Sequence, residues 1–216
     1  MEKGYYDIQQ YLEDYADHCP DKEIRIINAA INAFSEKGFE ATRTKEIAQR
    51  AGIAEGTIFR YFPTKDAILE RMVPLLIRVM QPKISGPIDQ ILARFADAPV
   101  ERIFSAILVD RIQMVRDNAR FIKSVLPELI HRAPLLNQLR QSILPMIEQY
   151  IAKIVEYGKS RGELDDALEP RLVMLQLMGI VVSYNMFGGG DEADVERDVA
   201  AYLHNAMTGW NKKCKR

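Results

Sequence analysis

Cysteine, tryptophan and long apolar runs are scarce in this chain of 216 residues. The 2 cysteines, Cys19 and Cys214, lie near opposite ends of the chain and therefore suggest no disulfide framework. The most apolar stretch, residues 172–187, contains three polar residues and is too short for a comfortable membrane span. The opening residues are polar and acidic, so we expect no secretory leader. Together these features predict a cytoplasmic protein without a membrane partner.

The usual sequence signatures of enzymes are also absent. The chain has no dinucleotide-binding glycine fingerprint, no phosphate-binding Walker loop, no HExxH and no nucleophile elbow. Its scattered metal-ligand side chains, His18, Cys19, His131 and His204, do not have the compact spacing that zinc sites use. We therefore expect neither an enzyme nor a resident metal ion or cofactor.

What is present is helical periodicity, interrupted by proline and glycine. Hydrophobic residues make up 48% of the chain and the formal net charge is −1, which is ordinary for a globular protein. No apolar alternation typical of strands persists, so the predicted fold class is all-α. Helices are predicted at residues 21–37, from about 64 to a kink or end at Pro74, and, after a loop at 81–87, at 88–96, 100–116, 119–131, 134–161, 170–187 and 192–212. Pro127 and Pro145 should bend or split two of these helices.

The segment from Thr42 to Lys65 has the pattern of a helix-turn-helix. Three apolar residues share one helical face: Ile47, Ala48 and Ala51. We expect Thr44 to cap this helix and Gly52 to end it in the left-handed conformation. A second, very short helix follows, and it needs packing partners because so short a helix is unstable alone. Its outward residues are thereby left available for another role.

The charges of this segment indicate a role for its outward-facing residues. The basic residues of the segment are Arg43, Lys45, Arg50, Arg60 and Lys65, and the acidic ones are Glu46 and Glu55. Five minus two leaves a local surplus of three positive charges on a nearly neutral chain. A local cationic face of this kind is typical of a surface that binds phosphates.

Three segments in order, FSEKGF, TKEIAQRAG and GTIFRYFPTK, resemble the DNA-binding domain of the tetracycline-repressor (tetR) family of bacterial transcription regulators. The resemblance covers residues 22–72, about a quarter of the chain. It implies a three-helix DNA-binding domain at 21–66 and a larger helical effector-binding and dimerisation domain at 67–216. It also implies a homodimer, joined through the last two helices, that binds a palindromic double-stranded operator and releases it when a small molecule binds.

The family's DNA-contacting positions fall in this sequence on Thr44, Lys45, Gly56, Thr57, Tyr61 and Lys65. Four neighbouring residues are close enough to contribute: Arg43, Glu55, Phe59 and Arg60. Hydroxyl and ammonium donors suit phosphate oxygens, which position a protein without reading sequence. Gly56 would let the helix approach the groove, and the methyl group of Thr57 suits a thymine methyl. For Arg60 two roles stay open, reading a guanine or holding a phosphate. Phe59 and Phe62 are assigned more easily to packing, with Phe62 beside Phe34 and Phe39.

Large, soft side chains in the central helices are candidates for an effector pocket: Phe95, Phe104, Met114, Phe121, Met146, Tyr150, Met174 and Tyr184. Methionine adapts to irregular shapes, so these residues allow an apolar or aromatic effector. For each of them, ordinary core packing is the commoner explanation. His131, Arg111 and Arg116 would either meet an acidic ligand or lie at the surface.

Residues 1–20 precede the family resemblance and are acidic and rich in tyrosine. Arms that follow the minor groove are basic, so that role is disfavoured here. Tyr5, Ile8, Leu12 and Tyr15 have helical spacing, which predicts an extra helix, the alternative being an unordered arm. A different function also stays open at this point: a helical adaptor that uses the helix-turn-helix domain, the head, to bind protein. An adaptor would lack the steep salt dependence of a DNA-binding protein.

Overall fold

The computed structural model describes residues 22–210, apart from the side chains at positions 75, 76, 79, 80, 83, 120, 121 and 123–125. Within that span the chain forms helices and no strand, which confirms the all-α prediction. The helices are α1 (Lys22–Lys37), α2 (Thr44–Ala51), α3 (Glu55–Tyr61), α4 (Lys65–Arg94), α5 (Val100–Asp117), α6 (Ala119–His131), α7 (Ala133–Ser160), α8 (Pro170–Phe187) and α9 (Glu192–Trp210). The predicted extra helix in residues 1–20 lies outside the described residues.

Two glycines set the ends of the first two helices, and one of them, Gly52, is the residue at which the sequence predicted an end. Gly38 has φ of 83° and follows α1, and its N–H donates to the carbonyl of Phe34 at 2.8 Å. Gly52 has φ of 65° and ψ of 39° at the end of α2. Both positions require the left-handed region, which glycine enters without the steric cost of a Cβ.

Helix α4 is longer than the sequence predicted. It continues through Pro74, and the predicted loop at residues 81–87 is wrong because that segment is helical. Proline removes one backbone donor and disfavours a helix interior. Here three buried side chains at helical spacing, Ile77, Ile84 and Ile88, favour continuation of the helix. Tertiary packing therefore outweighs the local proline signal, and α6 and α7 likewise continue through Pro127 and Pro145.

Packing divides the chain into two compact units. The first takes in the described residues up to Lys83 together with Asp117–Ile143, and the second takes in Ile84–Arg116 and the described residues from Leu144 onward. These units group the residues differently from the sequence-based domains 21–66 and 67–216, which stay a proposal about function. In the first unit α1 contacts α2 and α6, and α2 contacts α3.

Each unit has its own apolar core. The core of the first unit joins side chains from α1 to α4 with Leu129 and Leu135. In the second unit the rings of Phe104 and Trp210 meet edge to face with centroids 5.8 Å apart. The indole N–H of Trp210 donates to the amide oxygen of Gln176 at 2.9 Å, so the buried polar atom of this side chain has a partner.

Candidate nucleic-acid interface

A small core holds the helix-turn-helix and fixes which face of it is exposed. Ile47 and Ile58 are fully buried, and Phe62 joins the same cluster as Phe34 and Phe39, as predicted. The rings of Phe34 and Phe39 lie 5.0 Å apart. Because α3 has 7 residues and buries only Ile58 fully, its position depends on these neighbours.

The other residues of α3 point largely into solvent. The exposed ones are Glu55, Gly56, Phe59, Arg60 and Tyr61, and Thr57 is half-buried. Phe59 is 51% exposed, so the assignment of this side chain to packing is wrong. A Cβ placed on Gly56 would have no heavy atom within 4 Å. The helix thus presents an exposed face that another molecule can approach closely at Gly56. The face carries an arginine, a tyrosine and a phenylalanine.

Thr44 does not have the capping role that the sequence suggested. The N-cap of α2 is Arg43, in extended conformation, and no side chain makes the capping hydrogen bond. Thr44 is the first helical residue, and its hydroxyl donates to a carboxylate oxygen of Glu55 at 3.0 Å. This bond joins the starts of α2 and α3. Thr64 does cap α4, since its hydroxyl oxygen accepts the N–H of Ala67 at 3.0 Å.

The cationic face is smaller than the count of charges implied. The guanidinium of Arg50 donates to Glu36 at 2.9 Å and to Glu46 at 3.0 Å, and these bonds, led by the one to Glu36, raise the pKa of Arg50. Lys37 donates to Glu46 at 2.8 Å, and this bond is the main cause that holds the pKa of Glu46 below its ordinary value. Arg50 is therefore engaged in joining α2 to α1.

Three exposed basic side chains of the predicted site lie on or beside the helix-turn-helix: Arg43, Lys45 and Arg60. Lys65 differs from them. Its ammonium donates to the carbonyls of Phe39, Glu40 and Thr42 at 2.6, 3.2 and 3.3 Å. The sequence pattern did not reveal these partners, because they lie 23–26 residues away along the chain.

The predicted effector residues fall in the second unit, with the exception of Phe121, whose side chain is not described. Phe104 and Met174 are buried, whereas the others are half-buried: Phe95, Met114, Met146, Tyr150 and Tyr184. Burial, followed by a hydrogen bond to Asp89, raises the pKa of Tyr150. The phenol of Tyr150 is therefore neutral at physiological pH and presents an apolar ring with one polar end.

Tyr184 lies beside the turn between α8 and α9. Its hydroxyl is 3.0 Å from a carboxylate oxygen of Asp198, and the guanidinium of Arg116 lies over its ring at 5.5 Å. Burial and the bond to Asp198 raise the pKa of Tyr184. Arg111 pairs with buried Asp110, and His131 is exposed. For His131 the surface alternative is therefore confirmed.

Helix α8 has one buried and one exposed apolar face. Val173, Met174 and Leu177 are buried. The opposite face exposes a run of large apolar side chains, Leu172, Leu175, Val182 and Met186, and Phe187 follows at 83% exposure. Gly179 lies on the same spacing, and a Cβ there would have no heavy atom within 4 Å. We call residues 172, 175, 179, 182 and 186 the α8 stripe.

Comparison with known proteins finds a family match within the first unit. A model of bacterial regulatory proteins of the tetR family matches residues 26–72, which span α1 to α3 and the start of α4. Over these residues the chain is similar to the tetR family of regulators. It is a helix-turn-helix transcriptional regulator that binds DNA.

Similarity to individual tetR-family proteins extends beyond the head. The regulator UidR of Escherichia coli K12 is 23% identical over 192 residues, which cover 85% of this chain and 92% of UidR. The structure of a tetR-family regulatory protein from Rhodococcus RHA1 has a TM-score of 0.61 at 20% identity and covers 89% of this chain and 98% of its own. The structure of FadR from Bacillus subtilis in complex with stearoyl-CoA has a TM-score of 0.59 at 22% identity and covers 83% of this chain and 96% of its own.

These relatives support a regulator and not the adaptor alternative. Across residues 22–210, the helices whose side chains are described include none long and apolar enough to cross a membrane. The same residues bring no three histidine, cysteine, aspartate or glutamate side chains together as ligands for a metal ion.

Proposed function

We propose that this tetR-family regulator is a repressor that binds a palindromic operator as a homodimer and is released by a small apolar or aromatic effector. The observation that carries the proposal is the exposed face of α3, held on a fixed core. A helix of this kind enters the major groove with its N-terminal residues at the base edges. In this chain those residues are Glu55, Gly56 and Thr57.

The surrounding side chains supply the contacts to the DNA backbone. Arg43 directly precedes α2, Lys45 lies in its first turn, and Arg60 and Tyr61 end α3. Each of these four carries a donor suited to phosphate. Thr44 begins α2, and its hydroxyl would have to leave Glu55 to reach a phosphate. Phe59 is exposed beside them and would contribute apolar contact. Thr57 is the best candidate for reading sequence, because its methyl group matches the thymine methyl.

The α8 stripe supports assembly of the homodimer through the last two helices. Its residues recur at intervals of 3, 4, 3 and 4 positions, the spacing with which two helices pack side by side. Gly179 at the centre would permit close approach, and the flanking side chains would bury apolar area. In α9, by contrast, Val195, Val199 and Leu203 are already buried within the same chain, so α8 supplies most of the apolar contact.

A homodimer also accounts for specific affinity for DNA. One 7-residue recognition helix contacts few bases, whereas two related by a two-fold axis reach successive major grooves about 34–36 Å apart. For the effector, the half-buried aromatic and methionine side chains of the second unit favour an apolar molecule. Long-chain acyl-CoA is the first compound to assay, because the Bacillus subtilis FadR structure contains stearoyl-CoA.

Fluorescence anisotropy tests DNA binding directly. The purified protein is titrated onto the DNA upstream of its own gene and onto a scrambled duplex, across a salt series. We expect tighter binding to the native fragment and an affinity that falls steeply with salt, because binding releases counterions from phosphates. Equal, weak and salt-insensitive binding to both duplexes would contradict the proposal.

The single tryptophan makes effector binding measurable without a label. Trp210 contacts Phe104, a predicted pocket residue, so an occupant beside that ring should change the emission of the indole. Stearoyl-CoA is added to the free protein and, in parallel, to the protein–DNA complex. We expect a saturable change in fluorescence together with release of DNA over the same concentration range. Coenzyme A without an acyl chain is the matched control, and an equal response to it would argue against an apolar pocket.

A further inference from the structure

The side chain of Lys65 is directed into the protein, unlike the exposed lysine and arginines of the DNA-binding face. Lys65 is the first residue of α4. Its Nζ lies 2.6 Å from the carbonyl oxygen of Phe39, 3.2 Å from that of Glu40 and 3.3 Å from that of Thr42. An ammonium group has three N–H donors. The three carbonyls therefore account for all of them.

The same ammonium lies over the ring of Phe39, 4.2 Å from the ring centroid. A second cation, the guanidinium of Arg132, also lies over this ring at 4.9 Å. Phe39 is 3% exposed, so its ring is largely removed from water, while the two cations over it are half-buried. Cation–π attraction strengthens as the groups lose contact with water. We call Phe39, Lys65 and Arg132 together the Phe39 clamp.

Arg132 is itself held in place by acidic partners. It donates to Glu128 at 2.6 Å and to Asp66 at 2.8 Å, and these bonds, led by the one to Glu128, raise its pKa. Asp66 follows Lys65 in α4, and Glu128 lies in α6. The clamp thus joins α4, α6 and the loop after α1 through one aromatic ring.

That loop leads directly to the DNA-binding face. Residues 38–43 connect α1 to α2, and α2 opens with Thr44 and Lys45. The loop is short and anchored at a second point, because buried Thr42 has its hydroxyl 2.7 Å from the carbonyl of Gly38. Moving Phe39 or Thr42 would therefore shift the start of α2, and α3 with it, since α2 and α3 are in contact.

We propose that Lys65 is a positioning residue of the DNA-binding head. Through the Phe39 clamp it fixes the loop before α2 in the orientation that DNA requires, and it makes no phosphate contact of its own. The proposal rests on the DNA-binding function and revises one residue of the predicted interface. It also assigns a role in DNA binding to Arg132, which lies outside the residues of the family model.

The salt dependence of DNA binding separates positioning from phosphate contact. Each phosphate contact that is lost reduces the slope of log affinity against log salt by about 0.9. We compare Lys65→Met with Lys45→Met, an exposed lysine of the proposed interface, as the matched control. Lys65→Met should weaken binding about tenfold at every salt concentration and leave the slope unchanged. Lys45→Met should instead reduce the slope by about 0.9 per protomer.

Lys65→Arg sharpens the test because it keeps the positive charge. A planar guanidinium cannot direct its donors at three converging carbonyls as a compact ammonium does. The proposal therefore expects Lys65→Arg to lose affinity as Lys65→Met does. A phosphate contact would survive in Lys65→Arg, and Lys65→Met would reduce the slope. Either of those two results would overturn the proposal.

Folding is monitored by circular dichroism, and dissociation constants are measured below the melting temperature of each variant. If the folded Lys65 variants bind DNA as the parent protein does, the residue is merely structural and the proposal fails. If they do not fold, Phe39→Leu and Arg132→Lys weaken the clamp from its other members. Both should lower affinity without changing the slope, and unchanged affinity in both would overturn the proposal.

The outcome is separable from that of the proposed repressor function. If the parent protein does not distinguish its operator from scrambled DNA, the repressor proposal fails. The slope comparison can still be made on scrambled duplex, because phosphate contacts contribute there as well. An unchanged slope with weaker binding in Lys65→Met would then support the clamp alone.

Discussion

The two units expose faces of different chemistry. In the first unit α3 exposes an arginine, a tyrosine, a phenylalanine and a glycine on a helix of 7 residues. In the second unit α8 exposes leucine, valine, methionine and phenylalanine on a helix of 18 residues. A short face that mixes charged and aromatic side chains gains affinity for DNA through its charges and through close approach. A long apolar face gains affinity for a partner by losing contact with water. Exposure alone therefore does not identify the partner of a surface. The chemistry of the exposed side chains indicates whether that partner is DNA or protein.

The largest effect is expected from placing charge on the α8 stripe. The double substitution Leu175→Asp with Val182→Asp would put two carboxylates into an apolar interface, where desolvation of a charge is costly. We expect the chain to become monomeric, with a mass near 24.7 kDa, and to lose at least about 100-fold in operator affinity. Light scattering after gel filtration gives the mass, and anisotropy gives the affinity.

Gln149→Asp supplies the control for that experiment. Gln149 is an exposed residue of α7 in the same unit, so it adds surface charge away from the stripe. It should leave both mass and affinity unchanged. A double variant that still runs as a dimer would show that the α8 stripe is not the interface.

A smaller and more local effect is expected from Gly56→Ala. A Cβ at this position meets no heavy atom of the protein, and alanine favours a helix over glycine. The free protein should therefore keep or slightly raise its melting temperature, while the added methyl group obstructs approach to the groove. We expect operator affinity to fall about 10- to 30-fold, a loss comparable with that from a mismatched base pair.

Gly209→Ala is the matched control, since a Cβ at this helical residue of α9 also meets no heavy atom. The two substitutions should have similar effects on the melting temperature, and only Gly56→Ala should weaken DNA binding. Equal operator affinity in the two variants would remove Gly56 from the interface. The two variants thus test the comparison between the two units while their melting temperatures change by similar amounts.

Local signals predicted the helix-turn-helix well because its geometry is set by local residues. Gly38 and Gly52 end helices wherever a left-handed residue is needed, and both did so here. The course of α4 was not predictable in this way, since buried Ile77, Ile84 and Ile88 outweigh the prolines. Their burial depends on residues distant in sequence.

Charge partners were the least predictable part of the candidate site. Arg50 was expected on a cationic face, yet its partner Glu36 lies 14 residues earlier in the chain. The carbonyl partners of Lys65 are still more distant and carry no side-chain signal at all. A sequence gives the number of charges in a segment, but pairing between helices decides which of them remain available to DNA.

Thr57→Ala should change the preference among sequences more than the overall affinity. The substitution removes the hydroxyl and one methyl group from the half-buried residue that we propose reads a base. We expect affinity for the operator to fall about fivefold while affinity for scrambled DNA stays the same. Competition between operator variants, each with one base pair changed, locates the position that Thr57 reads. An equal loss on operator and scrambled DNA would instead assign Thr57 to the phosphate backbone.

The smallest effect is expected from the ion pairs that join α1 to α2. Mainly the hydrogen bond from Lys37 lowers the pKa of Glu46 from its ordinary value of 4.5, so the folded state favours the carboxylate. This stabilisation is fully present above the unfolded-state pKa and is lost as pH falls through the lower folded-state pKa. Glu46→Gln should therefore lower Tm slightly at neutral pH, and its difference from the parent should vanish in acid.

Glu70→Gln, an exposed carboxylate of α4, is the control, and thermal melts followed by circular dichroism across pH provide the measurement. The contribution of Glu46 should be small because the pair is exposed and screened by salt. Glu46 would affect DNA binding in a different way, by deciding which basic side chains are available to phosphates. Glu46 holds Arg50 and Lys37 in ion pairs, which leaves Arg43, Lys45 and Arg60 as the basic residues that we propose contact the DNA backbone. If Arg50→Gln reduced the salt slope of DNA binding by a full phosphate contact, Arg50 would belong to the DNA-binding face after all.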